Sequence, residues 1–147
     1  MKRVIALGFV CFALCAENAP LVETQWRLKQ VAEEPYTPGK GQKKPYLILK
    51  AQGNHVIGFS GCNRLTGSYK LIGTKLEFGP VAGTRMACAQ GMEIEMKFLQ
   101  MLPMVKTWKV KDQGLDLFDA TERKIGHFEA ASEKEKEPEP EKAKQKK

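Results

Sequence analysis

Apolar and polar residues alternate along much of the chain between positions 24 and 130, which is the pattern of half-buried β-strands. The stretch TQWRLKQV shows it clearly, because Trp26 and Leu28 fall on one face and three polar side chains fall on the other. These polar side chains are Gln25, Arg27 and Lys29. The other alternating runs are PYLILKA, HVIGFSG, GSYKLIG, KLEFGP, TWKVKDQ, GLDLFDA and KIGHFEA. Turn residues separate these runs, so the sequence predicts about seven or eight short strands joined mostly as hairpins.

The segment CAQGMEIEMKFLQMLPMV departs from this alternation and predicts one helix over residues 89–102. Its apolar positions at helical spacing are Ile94, Phe98, Met101, Leu102 and Val105. That spacing is typical of a helix face buried in a core. Pro103 is expected to end the helix. The predicted fold is mainly β: a curled antiparallel sheet or small β-barrel with one helix packed on it.

The N-terminus has the layout of a secretory signal peptide over residues 1–16. Lys2 and Arg3 precede an apolar run that is shorter than the roughly 20 residues needed to span a bilayer. Cleavage fits after Cys15 or after Ala16. Lipid attachment at Cys11 or Cys15 is an alternative, although the residue before each is larger than bacterial lipoproteins favour. We expect an exported, periplasmic or envelope-associated protein without a transmembrane helix in the mature chain.

Residues 21–130 form one domain of ordinary size, and residues 132–147 form a charged tail. The tail holds five Glu, six Lys and no large apolar residue, so it is predicted to be disordered, as a solvated tail or a spacer. The whole chain carries a net charge of +7. Its basic residues are scattered, apart from Lys40, Lys43 and Lys44, whereas nucleic-acid binding needs a clustered stripe. The charge therefore favours anionic envelope polymers or lipids and excludes a nucleic-acid partner.

Cys62 and Cys88 remain once the signal peptide is removed. A closed zinc site needs four ligands, and the histidines His55 and His127 fall in unrelated strands. The two cysteines are 26 positions apart, which does not fit a Cys-x-x-Cys redox motif. An exported chain with two cysteines most simply pairs them, so we predict a disulfide, with a reactive thiol as the alternative. We expect neither a metal nor a cofactor.

Carboxylate pairs offer no better catalytic candidate. Glu93 and Glu95 fall on different sides of the predicted helix. Asp112, Asp116 and Asp119 fall in hairpin turns, where turn chemistry explains them. Phosphate-binding glycine loops and nucleophile-elbow patterns are missing from the sequence. We therefore expect no catalytic residue and no enzyme activity.

The stretch between the two cysteines carries a family resemblance. Its shared features are G-C-N-R at 61–64, Gly67, Tyr69, Leu76, T-R-M-A-C at 84–88 and a Glu-bearing helix, with Trp26 and Leu28 upstream. Together they resemble the META domain of the HslJ-like heat-shock proteins of bacterial envelopes, over residues 22–129. The resemblance implies a compact β-barrel-like fold with one helix, an envelope location and an association with stress tolerance. It implies no established catalytic activity and no cofactor.

The resemblance also singles out a polar cluster of Asn63, Arg64, Thr84 and Arg85. Asn63 suits a turn, and an arginine can donate to several backbone carbonyls at once. An arginine in a concave surface would instead bind an anionic group through two hydrogen bonds. Both roles stay open at this point.

Three functional hypotheses follow. The first is a non-enzymatic exported envelope protein, expected to be a monomer, that supports envelope stress tolerance by binding an unknown envelope protein or lipid. The second is a small-ligand carrier that uses the barrel mouth, with Arg64 or Arg85 as its anchor. The third is a thiol-dependent redox sensor.

Overall fold

The strands of the domain form a sheet that closes on itself. In the computed structural model, which describes residues 17–138, neighbouring strands of the sheet pair antiparallel, and the first strand pairs with both the third and the ninth. The strands of this part of the chain are β1 (Gln25–Val31), β2 (Glu34–Pro35), β3 (Tyr46–Lys50), β4 (His55–Phe59), β5 (Arg64–Ile72), β6 (Lys75–Gly83), β7 (Thr107–Lys111), β8 (Gly114–Phe118) and β9 (Lys124–Ala130). The predicted curled antiparallel sheet is confirmed, as a ring of strands. The two-residue β2, which pairs with the end of β1, was not predicted.

The hairpins form where the turn residues lie in the sequence. A 3-10 turn at Gln52–Asn54 joins β3 to β4, and residues 73–74 join β5 to β6. The shortest strand pairing in the ring is that of β6 with β7, which share one register pair, Lys75–Thr107. The ring therefore rests mainly on local hairpins and on the long-range pairing of β1 with β9.

The helix α1 (Met92–Met101) packs its predicted apolar face into the core of the ring. Phe98 meets Phe128 of β9 edge-on, with ring centroids 6.0 Å apart. Trp26, Phe98 and Phe128 are among the largest fully buried side chains. After α1 a 3-10 turn at Leu102–Met104, which contains Pro103, ends the helical segment as expected. Side chains thus fill the interior of the ring.

Strand β1 is covered on both of its faces, which the alternating pattern did not predict. Trp26 and Leu28 face the core, but Gln25 and Arg27 on the opposite face are only 2% and 8% exposed. Residues 132–138 lie against that face, and Glu137 hydrogen-bonds Gln25. The start of the predicted tail therefore lies against the domain, where Gln25 and Arg27 offer it specific polar partners.

The predicted signal peptide, including Cys11 and Cys15, and tail residues 139–147 lie outside the described residues. Of the helices formed by residues 17–138, none has the length and apolarity needed to span a membrane.

Candidate functional site

A disulfide joins the turn after β4 to the segment before α1. It links Cys62 to Cys88, with their Cα atoms 5.8 Å apart. The bridge predicted from the sequence is present, and both sulfur atoms are engaged in it. The residues around it form the candidate site.

The side chain of Asn63 ties three parts of the chain together beside the disulfide. Its Oδ1 accepts hydrogen bonds from the Thr84 hydroxyl and from the Met86 backbone N–H, both at 2.8 Å. Its Nδ2 donates to Glu95 Oε1 at 2.9 Å and to the Met86 carbonyl at 3.2 Å. Both donors and both acceptor positions of the amide are used, so Asn63 has a structural role.

Glu95 of α1 is the buried acceptor on the other side of this network. It is 9% exposed. Its Oε2 accepts from the backbone N–H of Asn63 at 2.7 Å, from that of Cys62 at 3.3 Å and from the Ser60 hydroxyl at 2.7 Å. Burial acts to raise the pKa of the Glu95 carboxyl, but the hydrogen bonds from Ser60, Asn63 and Cys62 outweigh it and hold that pKa below its usual value of 4.5. Glu95 is therefore an ionised carboxylate that anchors α1 to the turn at residues 60–63.

Two glycines allow α1 to begin next to that turn. Gly61 and Gly91 have φ angles of +128° and +92°, which favour glycine. A Cβ on Gly91 would lie 2.3 Å from the Gly61 carbonyl oxygen, and a Cβ on Gly61 would lie 2.9 Å from the Gly91 carbonyl oxygen. A side chain at either position would push the start of α1 away from Asn63.

Sequence reasoning missed Glu95 as part of the site. It considered this residue only as one half of a carboxylate pair with Glu93. The signal that could have found it is its position next to Ile94 and three residues before Phe98, on the buried side of α1. A charged residue on a buried helix face needs nearby partners, and the Ser60–Asn63 turn supplies them.

Arg64 and Arg85 lie at the surface on the edge of this network. The backbone N–H of Arg64 donates to the Thr84 hydroxyl at 3.2 Å, and the Thr84 N–H donates to the Arg64 carbonyl. Both arginines are exposed, and neither guanidinium has a hydrogen-bond or ion-pair partner among residues 17–138. Together with Thr84, Glu95 and Leu99 they line a concave surface, and the volume of this concavity is about 410 Å³. Of the four predicted cluster residues, Asn63 and Thr84 thus join inside the network, while Arg64 and Arg85 face solvent.

An apolar strip runs along the outer side of α1 and reaches this concave surface. Met92, Met96 and Leu99 follow each other at helical spacing and are 47%, 56% and 39% exposed. We call these three side chains the α1 strip. Sequence reasoning placed Met101 in the core, where it lies, but assigned no role to Met92 or Met96.

The histidines lie apart from the disulfide. His55 begins β4, and His127 Nδ1 lies 2.7 Å from Asp116 Oδ1 on the neighbouring strand β8. Among the described residues, no group of three His, Cys, Asp or Glu side chains is placed to hold a metal ion.

These features define a class of protein built on a small antiparallel sheet that closes into a ring and is filled by its own side chains. The α-helix of the described residues is anchored to this ring by a buried Asn–Glu network beside a disulfide. A family model for the META domain matches residues 19–132. The chain belongs to the META domain family, as the motifs around Cys62 and Cys88 predicted.

Two solved structures are similar to this chain. An NMR structure of a protein from Burkholderia xenovorans has 31% sequence identity and a TM-score of 0.62, over 76% of this chain and 84% of that chain. A second NMR structure of a protein has 26% identity and a TM-score of 0.58, over 75% of this chain and 91% of that chain. No curated protein matches the chain.

Proposed function

We propose that this chain is a non-enzymatic exported protein of the bacterial envelope that supports tolerance of envelope stress by binding an anionic lipid surface through Arg64 and Arg85. The observation that carries the proposal is the exposed position of both guanidinium groups beside one concave surface, without partners among residues 17–138. Guanidinium groups bind phosphate and carboxylate oxygens through paired hydrogen bonds. The anionic headgroup of a lipid supplies such oxygens.

The α1 strip favours a lipid surface over a dissolved anion. Peripheral binding to a membrane combines buried apolar area with electrostatic attraction to anionic lipids. Met92, Met96 and Leu99 supply the apolar area, and Leu99 borders the same concave surface as the arginines. Each arginine near an anionic leaflet contributes about 1 kcal/mol, so the pair contributes about 2 kcal/mol before the apolar contacts are added.

The nearby carboxylate does not oppose this interaction strongly. Glu95 also lines the concave surface, but its oxygens already accept hydrogen bonds from Ser60, Cys62 and Asn63. The same saturation supports binding rather than catalysis, because Glu95 is not free to exchange a proton with a substrate. The cysteine sulfurs are likewise engaged in their bridge.

A complementation experiment tests the cellular role. A strain that lacks the protein is expected to be sensitive to heat or to envelope-active antibiotics, and the wild-type chain should restore tolerance. The double variant Arg64→Gln/Arg85→Gln should fail to restore it. The matched variant Lys70→Gln/Lys109→Gln removes the same charge from exposed positions elsewhere and should succeed. Normal growth of the deletion strain under every envelope stress, or full rescue by the arginine variant, would refute the proposal.

A second candidate uses the same two arginines to carry a small anionic ligand. The concave surface of about 410 Å³ favours it, since this volume accommodates a small molecule. Because the interior of the ring is filled, such a ligand would bind at this surface and not inside the ring. Calorimetric titration with small phosphate esters and carboxylates distinguishes the two candidates, since a lipid-binding surface requires no affinity for a soluble anion.

A further inference from the structure

A second, smaller apolar cluster lies on the outer face of the sheet, opposite the main core. Tyr46, Ile48 and Ile57 are buried in it, and Phe59 packs against them. The strand register places Gln25 beside Ile48 and Arg27 beside Tyr46. Polar and apolar groups therefore share one covered face of β1, β3 and β4. We call this face the outer groove.

The C-terminal segment, residues 132–138, occupies the outer groove. The Gln25 side chain donates from Nε2 to the Glu137 carbonyl at 3.2 Å and accepts from the Glu137 N–H at 2.9 Å. A side-chain amide that pairs with both polar groups of one residue recognises the peptide backbone, whatever side chain that residue carries. Glu137 and Pro138 also line a concavity together with Tyr46 and Phe59.

Basic side chains around the outer groove form ion pairs with the glutamates of this segment. Glu135 pairs with Arg27 at 3.1 Å and with Lys44 at 3.6 Å. Glu137 pairs with Lys43 at 3.4 Å. The two glutamates are two residues apart. Glu135 ends a 3-10 turn formed by Glu133–Glu135, and the backbone that follows is extended at Lys136. The contacts thus select carboxylates at alternate positions.

The fit of the C-terminal segment to Arg27 is incomplete. The Arg27 side chain is buried, yet its Nε has no hydrogen-bond partner among the described residues. A carboxylate that approached this guanidinium with both oxygens would satisfy Nε together with a terminal nitrogen. The groove therefore has an unused donor that a better-fitting acidic ligand would engage.

We propose that the outer groove is a binding site for an acidic peptide segment of a partner protein, with glutamates at alternate positions, and that residues 132–138 occupy it as an exchangeable internal ligand. The internal contacts are mostly half-exposed ion pairs, which hold weakly. The tail sequence places Glu at positions 133, 135, 137, 139 and 141, so the chain itself repeats the spacing that the groove selects.

A competition experiment in the full chain tests this proposal. The probe is a fluorescent peptide with the sequence of residues 132–138, and its binding is followed by fluorescence anisotropy. The variant Glu135→Gln/Glu137→Gln weakens the internal ligand, whereas Glu133→Gln alters a glutamate that pairs within the segment. An internal ligand competes at an effective concentration near millimolar, so we expect the double variant to bind the probe about tenfold more tightly than wild type. The Glu133→Gln variant should bind as wild type does.

Two further variants locate the binding site. Adding Arg27→Gln to the double variant should remove the gain, and so should adding the pair Lys43→Gln/Lys44→Gln, of which Lys43 is exposed and Lys44 is half-buried. A peptide of the same composition with adjacent glutamates should bind less. The lysine pair keeps the test decisive if Arg27→Gln impairs folding. Equal probe binding by wild type and Glu135→Gln/Glu137→Gln, or a gain that survives both groove variants, would overturn the proposal.

Discussion

Replacing Glu95 by alanine should be among the most damaging single substitutions in this domain. The carboxylate is the acceptor for the Ser60 hydroxyl, two backbone N–H groups and the Asn63 side chain. A buried donor left without an acceptor costs about 1–3 kcal/mol. Water can reach some of these donors, because Glu95 borders the concave surface. We therefore expect a total loss of about 3–5 kcal/mol in the free energy of unfolding, a large part of the about 5–15 kcal/mol typical of a domain.

Urea denaturation followed by tryptophan fluorescence measures this loss, since Trp26 is fully buried and reports on the core. The control is Glu93→Ala, an exposed glutamate on the same helix, which should change stability by no more than about 0.5 kcal/mol. Glu95→Gln should fall between the two, because its amide keeps one acceptor but turns a donor toward other donors. A loss for Glu95→Ala below about 1 kcal/mol would refute the anchoring role of the carboxylate.

Two further predictions concern the disulfide and the pH dependence of stability. The variant Cys62→Ser/Cys88→Ser removes a bridge between cysteines 26 positions apart and should lose about 3–4 kcal/mol in the free energy of unfolding, measured by urea denaturation. An unchanged midpoint of the urea transition would contradict the stabilising role of the bridge. The Thr121 hydroxyl, aided by hydrogen bonds from Arg123 and opposed by burial, lowers the pKa of Asp119 from 3.8 to about 2. A carboxyl whose pKa is lower in the folded than in the unfolded chain stabilises the fold at pH values above its unfolded-state pKa, and this stabilisation is lost as the pH falls toward the folded-state pKa. The difference in stability between wild type and Asp119→Asn should therefore close as the pH falls from about 4 to about 2. An equal gap at pH 7 and pH 2 would exclude this contribution.

The hairpins and the helix could be predicted because their signals are local. Alternating side chains, turn residues such as Gly73 and the helical spacing of Ile94 and Phe98 all act within a few residues. The pairing of β1 with β9 joins residues about a hundred positions apart, and no local pattern specifies its register. The sequence therefore predicted a sheet curled toward closure without predicting which strands would close it.

The candidate site was predicted only in part, for the same reason. The motifs around Cys62 and Cys88 identified the disulfide and drew attention to Asn63. The partner of Asn63 lies 32 residues away on α1, so the burial of Glu95 depends on how the helix docks. Gln25 looked like a solvent-facing strand residue because the segment that covers it lies 112 residues away. Motif spacing located the arginines but gave no information on whether their side chains face the backbone or solvent.

Vesicle flotation tests the central claim, that Arg64 and Arg85 bind an anionic lipid surface, most directly. The protein is purified from its native host in the form that the host produces. It is then mixed with phosphatidylglycerol-containing vesicles or with neutral phosphatidylcholine vesicles. We expect binding to the anionic vesicles only, weakened by about 10- to 30-fold in Arg64→Gln/Arg85→Gln and much less in Lys70→Gln/Lys109→Gln. Equal binding by both double variants, or no binding of the wild-type protein to anionic vesicles, would contradict the claim.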